Sequence, residues 1–184
     1  VARPVRVYAL GGSALGAAWR TVVFKKQSGE VVYSLYANQD GGKPTGQVYV
    51  GSEHDADGPS GLPLNSWTHL AATYNGSVLD LYVNGALATS TLVAGGMPTS
   101  SGPLQIGGNG VWGEWLQGLI DEVRVYNRAL SAGEIRTDMG TPIGSALSVA
   151  APADTQAPTQ PANVRAASST ATSVSVSWSA ATDN

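Results

Sequence analysis

The stretch WTHLAATYNGSVLDLYVNG, residues 67–85, decides the fold because it holds two strand-like runs that each end in Asn-Gly. In both runs apolar side chains alternate with polar or small ones, as in half-buried strands. Asn-Gly favours the type I′ turn, whose central residues both have positive φ and whose twist suits antiparallel neighbours. A third run, residues 86–93, follows the second turn. The stretch therefore predicts an antiparallel meander.

Further β-rich runs lie on both sides of the meander, at residues 21–25, 31–37, 46–51, 103–107 and 117–126. The Gly, Asp and Pro residues of 52–63 predict a loop between strands. Ser131 and Glu134, three residues apart, form a capping-box signature that predicts a short helix through Ile135 and Met139. Together these patterns predict an all-β, antiparallel two-sheet sandwich that is closed by one short C-terminal helix.

The composition excludes several classes of function. Of the 184 residues 42% are hydrophobic and only 12% charged, and the net charge is −3. A chain without a basic run lacks the electrostatic footprint of a nucleic-acid-binding protein. No apolar stretch approaches the length of a membrane span. Cysteine is absent, which excludes disulfides, thiolate chemistry and cysteine-ligated zinc.

A change of composition divides the chain. Residues 144–162 are rich in Ala, Pro, Ser and Thr and predict a semi-extended linker. Residues 163–166 and 173–178 then alternate as two further strands, too few to build a stable sandwich alone. We therefore expect a first domain at 1–143, the linker, and the truncated start of a second domain at 163–184.

Two blocks of sequence carry a family resemblance. LNSWTHLAATY with LYVNG, within residues 64–85, and GLIDEVRVYNRALS, residues 118–131, resemble the laminin-G-like jelly rolls of the concanavalin-like lectin/glucanase superfamily. The resemblance covers roughly residues 19–139 and implies a jelly-roll sandwich. Residues 158–184 resemble the opening of a fibronectin type III domain, with Trp178 where that family buries a Trp. The pairing is similar to secreted, multidomain bacterial proteins that act on glycans, which implies an extracellular location.

The N-terminal residues depart from this resemblance. Complete family members carry further strands and an acidic, Gly-rich loop there, whereas Pro4, Gly11 and Gly12 interrupt what would be a strand. We therefore expect a sandwich that is incomplete at its N-terminus.

The loop around Asn109, Trp112, Glu114 and Trp115 is the candidate carbohydrate site. A sugar ring has an apolar face and a rim of hydroxyls, so an exposed aromatic ring beside amide and carboxylate groups suits it. Trp112 is expected to be exposed and Trp115 to pack inward. The alternative is that one or both Trp residues fill the core.

Asp121 is the candidate metal ligand. It shares the strand phase of the apolar Leu119, Val123 and Val125, so its carboxylate is expected to be buried and paired or bound to a cation. The family resemblance implies a structural Ca²⁺ held partly by an N-terminal loop. One carboxylate cannot satisfy calcium, so the site is expected to be incomplete. The alternatives are that Asp121 caps a turn or pairs with an Arg.

The most acidic segment, which includes Glu53, Asp55 and Asp57, matches only part of a calcium-binding loop, and we expect a solvated loop. Enzymes of the same sandwich fold pair carboxylates on a strand, so a loop here predicts no catalysis. The leading hypothesis is a non-catalytic carbohydrate-binding or accessory module. The alternatives are a structural or adhesive spacer that contacts protein, or a piece of a glycoside hydrolase whose catalytic domain lies elsewhere.

Overall fold

The computed structural model describes residues 2–9, 18–143, 159–160, 162–170 and 173–180. The chain divides into two compact units, Val1–Ile143 and Gly144–Asn184. The predicted strand break at Gly11 and Gly12 and most of the predicted linker lie outside the described residues.

The first unit contains two five-stranded antiparallel sheets, which confirms the predicted sandwich. In the first sheet the spatial order is β12 (Gly118–Asp121), β1 (Ala2–Ala9), β6 (Trp67–Tyr74), β7 (Val78–Val83) and β8 (Ala86–Leu92). In the second sheet the order is β5 (Glu53–Asp57), β4 (Thr45–Tyr49), β3 (Glu30–Asn38), β2 (Arg20–Gln27) and β9 (Leu104–Ile106). A small hairpin, β10 (Gly108–Asn109) and β11 (Glu114–Trp115), and helix α1 (Ala132–Gly140) complete the unit.

The main core lies between the sheets. It is built from alternate residues of facing strands, among them Val7, Leu70 and Leu81 of the first sheet and Val23, Leu35 and Val48 of the second. A smaller apolar cluster on the outer face of the first sheet joins Ala71 and Tyr82 to Leu130 and Ile135, so α1 covers part of that face. The outer face of the second sheet carries a third cluster around Phe24 and Tyr36.

The two Asn-Gly turns confirm the meander but differ in geometry. At the second turn Asn84 and Gly85 both have positive φ, 50° and 74°, as a type I′ turn requires. At the first turn only Gly76 has positive φ, and the Asn75 carbonyl Oδ1 accepts hydrogen bonds from the backbone N–H groups of Ser77 and Val78. The side chain therefore organises the first turn, and the backbone conformation organises the second.

The predicted helix is present with its capping box. The Ser131 hydroxyl accepts from the Glu134 backbone N–H, and the Glu134 carboxylate accepts from the Ser131 backbone N–H at 2.8 Å. Ile135 is fully buried beneath it. No helix in the described part of the chain is long and apolar enough to cross a membrane.

Two predictions about individual strands were wrong. Ala2–Ala9 is a strand despite Pro4, because β12 pairs only with Arg6–Ala9 and at Pro4 the strand has β6 alone as a neighbour. Glu53–Asp57 is a strand and not part of a loop, because β4 pairs with it along its whole length. Its acidic residues are tolerated because this strand is the edge of its sheet.

The closing strand is shorter than predicted. It ends at Asp121 because Glu122 adopts a positive φ of 56°, which turns the chain out of the sheet. The Glu122 carboxylate then pairs with the Arg124 guanidinium at 3.2 Å and accepts from the Ile143 backbone N–H. Arg124 also donates to the carbonyls of Asp138 and Thr141, so this ion pair ties the segment after β12 to the end of α1.

The second unit, in its described residues, is an antiparallel hairpin of β13 (Ala162–Thr170) and β14 (Ser173–Ser179). Both strands were predicted. Trp178 is exposed there, and its resemblance to a buried fibronectin-type Trp stays a prediction.

Candidate functional site

A cleft of about 250 Å³ lies on the outer face of the second sheet. Alternation along β3 and β4 brings Tyr36 and Gln47 to this face, since their neighbours Leu35 and Val48 belong to the core. The cleft combines three aromatic rings, two carboxylates and one amide: Trp19, Tyr36, Gln47, Glu53, Trp112 and Glu114.

Aromatic rings form one wall of the cleft in two edge-to-face pairs. The Trp19 and Tyr36 ring centroids lie 4.8 Å apart at 81°, and those of Phe24 and Trp112 lie 5.3 Å apart at 90°. Phe24 is fully buried, whereas Trp112 remains 43% exposed. The buried ring therefore fixes the orientation of Trp112 and leaves part of its indole surface open to a ligand.

Asn109 builds the loop that carries Trp112 and Glu114. Its side chain is fully buried, and its Nδ2 donates to the Thr21 hydroxyl at 2.8 Å and to Glu114 Oε2 at 2.7 Å. Its Oδ1 accepts from the Trp112 backbone N–H at 2.9 Å. Gly113, with φ of 73°, supplies the left-handed turn between the two site residues. The Asn109 amide thus holds the loop from inside.

Tyr36 contributes a buried hydroxyl to the cleft. Its side chain is fully buried, and the side chains of Ser34 and Glu114 lie close enough to interact with the hydroxyl. Burial, reinforced by the negative charge of Glu114, raises the pKa of Tyr36, so the group stays a neutral O–H donor.

Glu53 enters the cleft from the edge strand β5. Burial raises the pKa of Glu53, and the negative charges of Glu30 and Asp55 raise it further. Burial likewise raises the pKa of Asp55, and a hydrogen bond from Gln47 partly offsets that effect. The edge of the second sheet beside the cleft therefore carries several carboxylates close together.

The structure brings the three predicted sugar-binding residues together, but only two of them line the cleft. Trp112 and Glu114 line the cleft, and Asn109 lies beneath them. The prediction that Trp115 packs inward was wrong: it is 59% exposed and lies across Gly108, where a Cβ would overlap its ring.

Four cleft residues were missed by sequence reasoning: Trp19, Tyr36, Gln47 and Glu53. Alternation along the strands could have identified some of them, because polar or aromatic side chains that alternate with core residues lie together on the outer face of the sheet. For Glu53 the spacing Glu-x-Asp-x-Asp was also visible in the sequence.

Asp121 is exposed, so the prediction of a buried carboxylate was wrong. Ile120 packs against the core instead, which puts Asp121 and the exposed Leu119 on the opposite face. Asp121 Oδ1 accepts from the Glu122 backbone N–H at 2.8 Å, which matches the turn-capping alternative.

Among the described residues, Asp121 lacks the partners that calcium needs. Residues 10–17, which include the N-terminal Gly-rich region expected to contribute, lie outside the described residues, so a structural Ca²⁺ stays a prediction. Asp121 borders a cavity of about 360 Å³ in which it is the only carboxylate among the described lining residues, beside Trp67, His69 and Asn84. Calcium takes six to eight oxygen ligands. Across the described residues, no group of three or more acidic, His or Cys side chains could hold a metal ion.

The fold defines a class, the two-sheet β-sandwiches, here with a helix against one sheet and an aromatic cleft on the other. The sequence agrees with this assignment. The profile of the Concanavalin A-like lectin/glucanases superfamily matches residues 13–136, and the chain belongs to that superfamily. No curated protein matches the chain.

Solved structures share the fold. Domain 4 of AbnA, a GH43 extracellular arabinanase from Geobacillus stearothermophilus in complex with arabinotriose, has a TM-score of 0.59 and 20% identity. The match covers 74% of this chain and 65% of that one. The CBM40 of the Ruminococcus gnavus IT-sialidase, bound to α2,3-sialyllactose, has a TM-score of 0.55 and 15% identity, with 74% and 80% covered. A SAP-like pentraxin from Limulus polyphemus has a TM-score of 0.56 and 18% identity, with 74% and 67% covered. At these identities the likeness establishes the fold alone.

Proposed function

We propose that the chain is a non-catalytic carbohydrate-binding module and that the cleft around Trp112 is its binding site. The observation that carries the proposal is a half-exposed indole, fixed by a buried ring, beside a rim of polar groups. The apolar face of a sugar ring would cover Trp112. Its hydroxyls would meet the carboxylates and the amide of the rim.

The polar groups have complementary roles. Glu53 and Glu114 would accept hydrogen bonds from sugar hydroxyls, and charge-assisted bonds of this type are the stronger ones. Asn109 would act indirectly, as a positioning residue for Trp112 and Glu114.

The comparisons support this proposal at the level of class. Two of the similar structures hold oligosaccharides, arabinotriose in one and sialyllactose in the other. One belongs to an extracellular arabinanase. We extend the proposal accordingly to an extracellular accessory module of a multidomain bacterial protein that acts on glycans.

Titration calorimetry with a panel of oligosaccharides, including arabinotriose and lactose, tests the proposal. Trp112→Ala should weaken binding at least tenfold. Trp67→Ala should leave binding unchanged, because Trp67 is similarly exposed, at 46%, but lies on the first sheet. Thermal unfolding of both variants shows that each is folded. Equal affinities of the two variants, or the absence of binding to every oligosaccharide, would contradict the proposal.

A second candidate function, glycoside hydrolysis, is favoured by one observation: two carboxylates line the same cleft, and the pKa of Glu53 is raised. Glycosidases pair a carboxylic acid of raised pKa with an ionised carboxylate. A reducing-sugar assay with the same panel separates the candidates. Release of sugar that Glu53→Gln abolishes would replace the binding proposal with hydrolysis.

A further inference from the structure

We infer that the cleft selects neutral glycans and excludes sugars that carry a carboxylate, such as sialic or uronic acids. This inference rests on the proposed function and names the class of ligand. It depends on the charges that line the cleft and on the kind of hydrogen-bonding group each of them offers.

The charged groups at the cleft have one sign. Glu53 on β5 and Glu114 on β11 are contributed by separate elements, and no basic side chain is among the described residues that line it. Glu30 and Asp55 lie close enough to Glu53 to affect its protonation, so the negative region extends beyond the cleft itself. A ligand carboxylate would be repelled from this face.

The basic residue that is nearest to the cleft in sequence, Arg20, does not line the cleft, and its buried Nε has no hydrogen-bond partner among the described residues. Arg20 begins β2, next to Trp19, and its Nη1 donates to the Trp115 carbonyl at 3.2 Å. Proteins that recognise carboxylates use the bidentate fork of an arginine or a lysine ammonium for that purpose. Neither lines this cleft among the described residues.

The hydrogen-bonding groups also suit neutral sugars. Two carboxylates provide acceptors only, and they require donors on the ligand. Neighbouring hydroxyls of a neutral sugar provide such donors. A sugar carboxylate would add acceptors and charge, while the buried Gln47 amide already donates to Asp55.

The cleft is small as well as acidic. Its volume of about 250 Å³ lies below the roughly 300–1,000 Å³ of sites that enclose drug-sized ligands. We therefore expect a short neutral unit, such as a chain end or a side branch, to occupy it. A long polymer segment would extend beyond it.

The test uses oligosaccharides that differ by a carboxylated sugar. Arabinotriose, lactose and α2,3-sialyllactose, and galactotriose with trigalacturonate, are titrated into the intact chain at low and at high salt. We expect at least one neutral oligosaccharide to bind, and each carboxylated one to bind at least tenfold more weakly, about 1.4 kcal/mol. High salt should narrow that difference, because it screens the carboxylates.

A matched pair of variants assigns the selectivity to the cleft. Glu53→Gln should reduce the preference for neutral sugars at least threefold. Asp40→Asn, which removes the same charge from an exposed loop, should leave it unchanged.

Two outcomes have different meanings. A carboxylated sugar that binds within tenfold of its neutral counterpart, and loses binding in Trp112→Ala, would overturn the neutral-glycan inference and leave the proposed function intact. Failure of every oligosaccharide to bind would remove both.

Discussion

Replacing Asn109 by alanine should loosen the candidate site from within. The Asn109 side chain is fully buried and makes three hydrogen bonds, to the Thr21 hydroxyl, the Glu114 carboxylate and the Trp112 backbone N–H. Asn109→Ala removes all three hydrogen bonds, so their partners must bond to water instead. The loop between β10 and β11 would then lose the hydrogen bond from Asn109 to Thr21 of β2 and keep the contact between the Trp112 and Phe24 rings.

The size of the effect follows from the types of bond. The two neutral bonds contribute about 1 kcal/mol each and the bond to a carboxylate about 1.5–3 kcal/mol, so the total is about 3.5–5 kcal/mol. Glu114 is only half-buried, so water recovers part of the last contribution. We expect the free energy of unfolding to fall by about 3 kcal/mol.

Urea unfolding measures this loss directly. With an m-value of about 2 kcal/mol per M, the midpoint should fall by about 1.5 M. Asn127→Ala is the control, because Asn127 is exposed, and it should change stability by less than about 0.5 kcal/mol. A loss below about 1 kcal/mol for Asn109→Ala, or one equal to the control, would refute the positioning role.

Two further predictions concern the sandwich and its helix. A Cβ at Gly46 would lie 2.9 Å from the Cβ of Ala72 on the facing sheet, so Gly46→Ala should cost about 1–3 kcal/mol in urea unfolding. Gly96→Ala, which meets nothing within 4 Å, should cost less than about 0.5 kcal/mol. The hydrogen bond from Arg128, with those from Ser131, lowers the pKa of Glu134 to about 2. Because the folded state thereby holds this carboxylate ionised, its contribution is complete above the unfolded pKa of about 4.3 and is lost as the pH falls towards 2. Urea unfolding at pH 6 and pH 3 should show a smaller loss on acidification in Glu134→Gln than in the natural chain, and an equal loss would contradict the prediction.

The fold was predictable because its signals are local. Each Asn-Gly pair with its flanking alternation defines a hairpin, and Ser131 with Glu134 defines a helix start, within a few residues of sequence. Strand β5 was not predictable in this way, because Gly and Asp are typical of loops and only pairing with β4 makes Glu53–Asp57 a strand. The expectation that Pro4 interrupts a strand also failed, since the cost of its missing N–H depends on how far the neighbouring strand β12 extends.

The site was predictable only where it is contiguous in sequence. Trp112 and Glu114 share one loop and were identified, whereas Tyr36, Gln47 and Glu53 come from three strands whose register brings them together. The prediction for Asp121 was wrong for a different reason, which lies within a single strand. Side chains alternate with a period of two, so a phase assigned one residue away moves a side chain to the other face of the sheet.

The position of a bound sugar tests the central claim most directly. The indole N–H signals of the Trp residues can be followed by ¹H–¹⁵N NMR while the chain is titrated with the neutral oligosaccharide that binds most tightly, and Trp112→Ala assigns one of them. The signals of Trp112 and Trp19, which line the cleft, should shift, and that of Trp67 on the other sheet should stay fixed. A titration that shifts Trp67 and leaves Trp112 unchanged would contradict the claim.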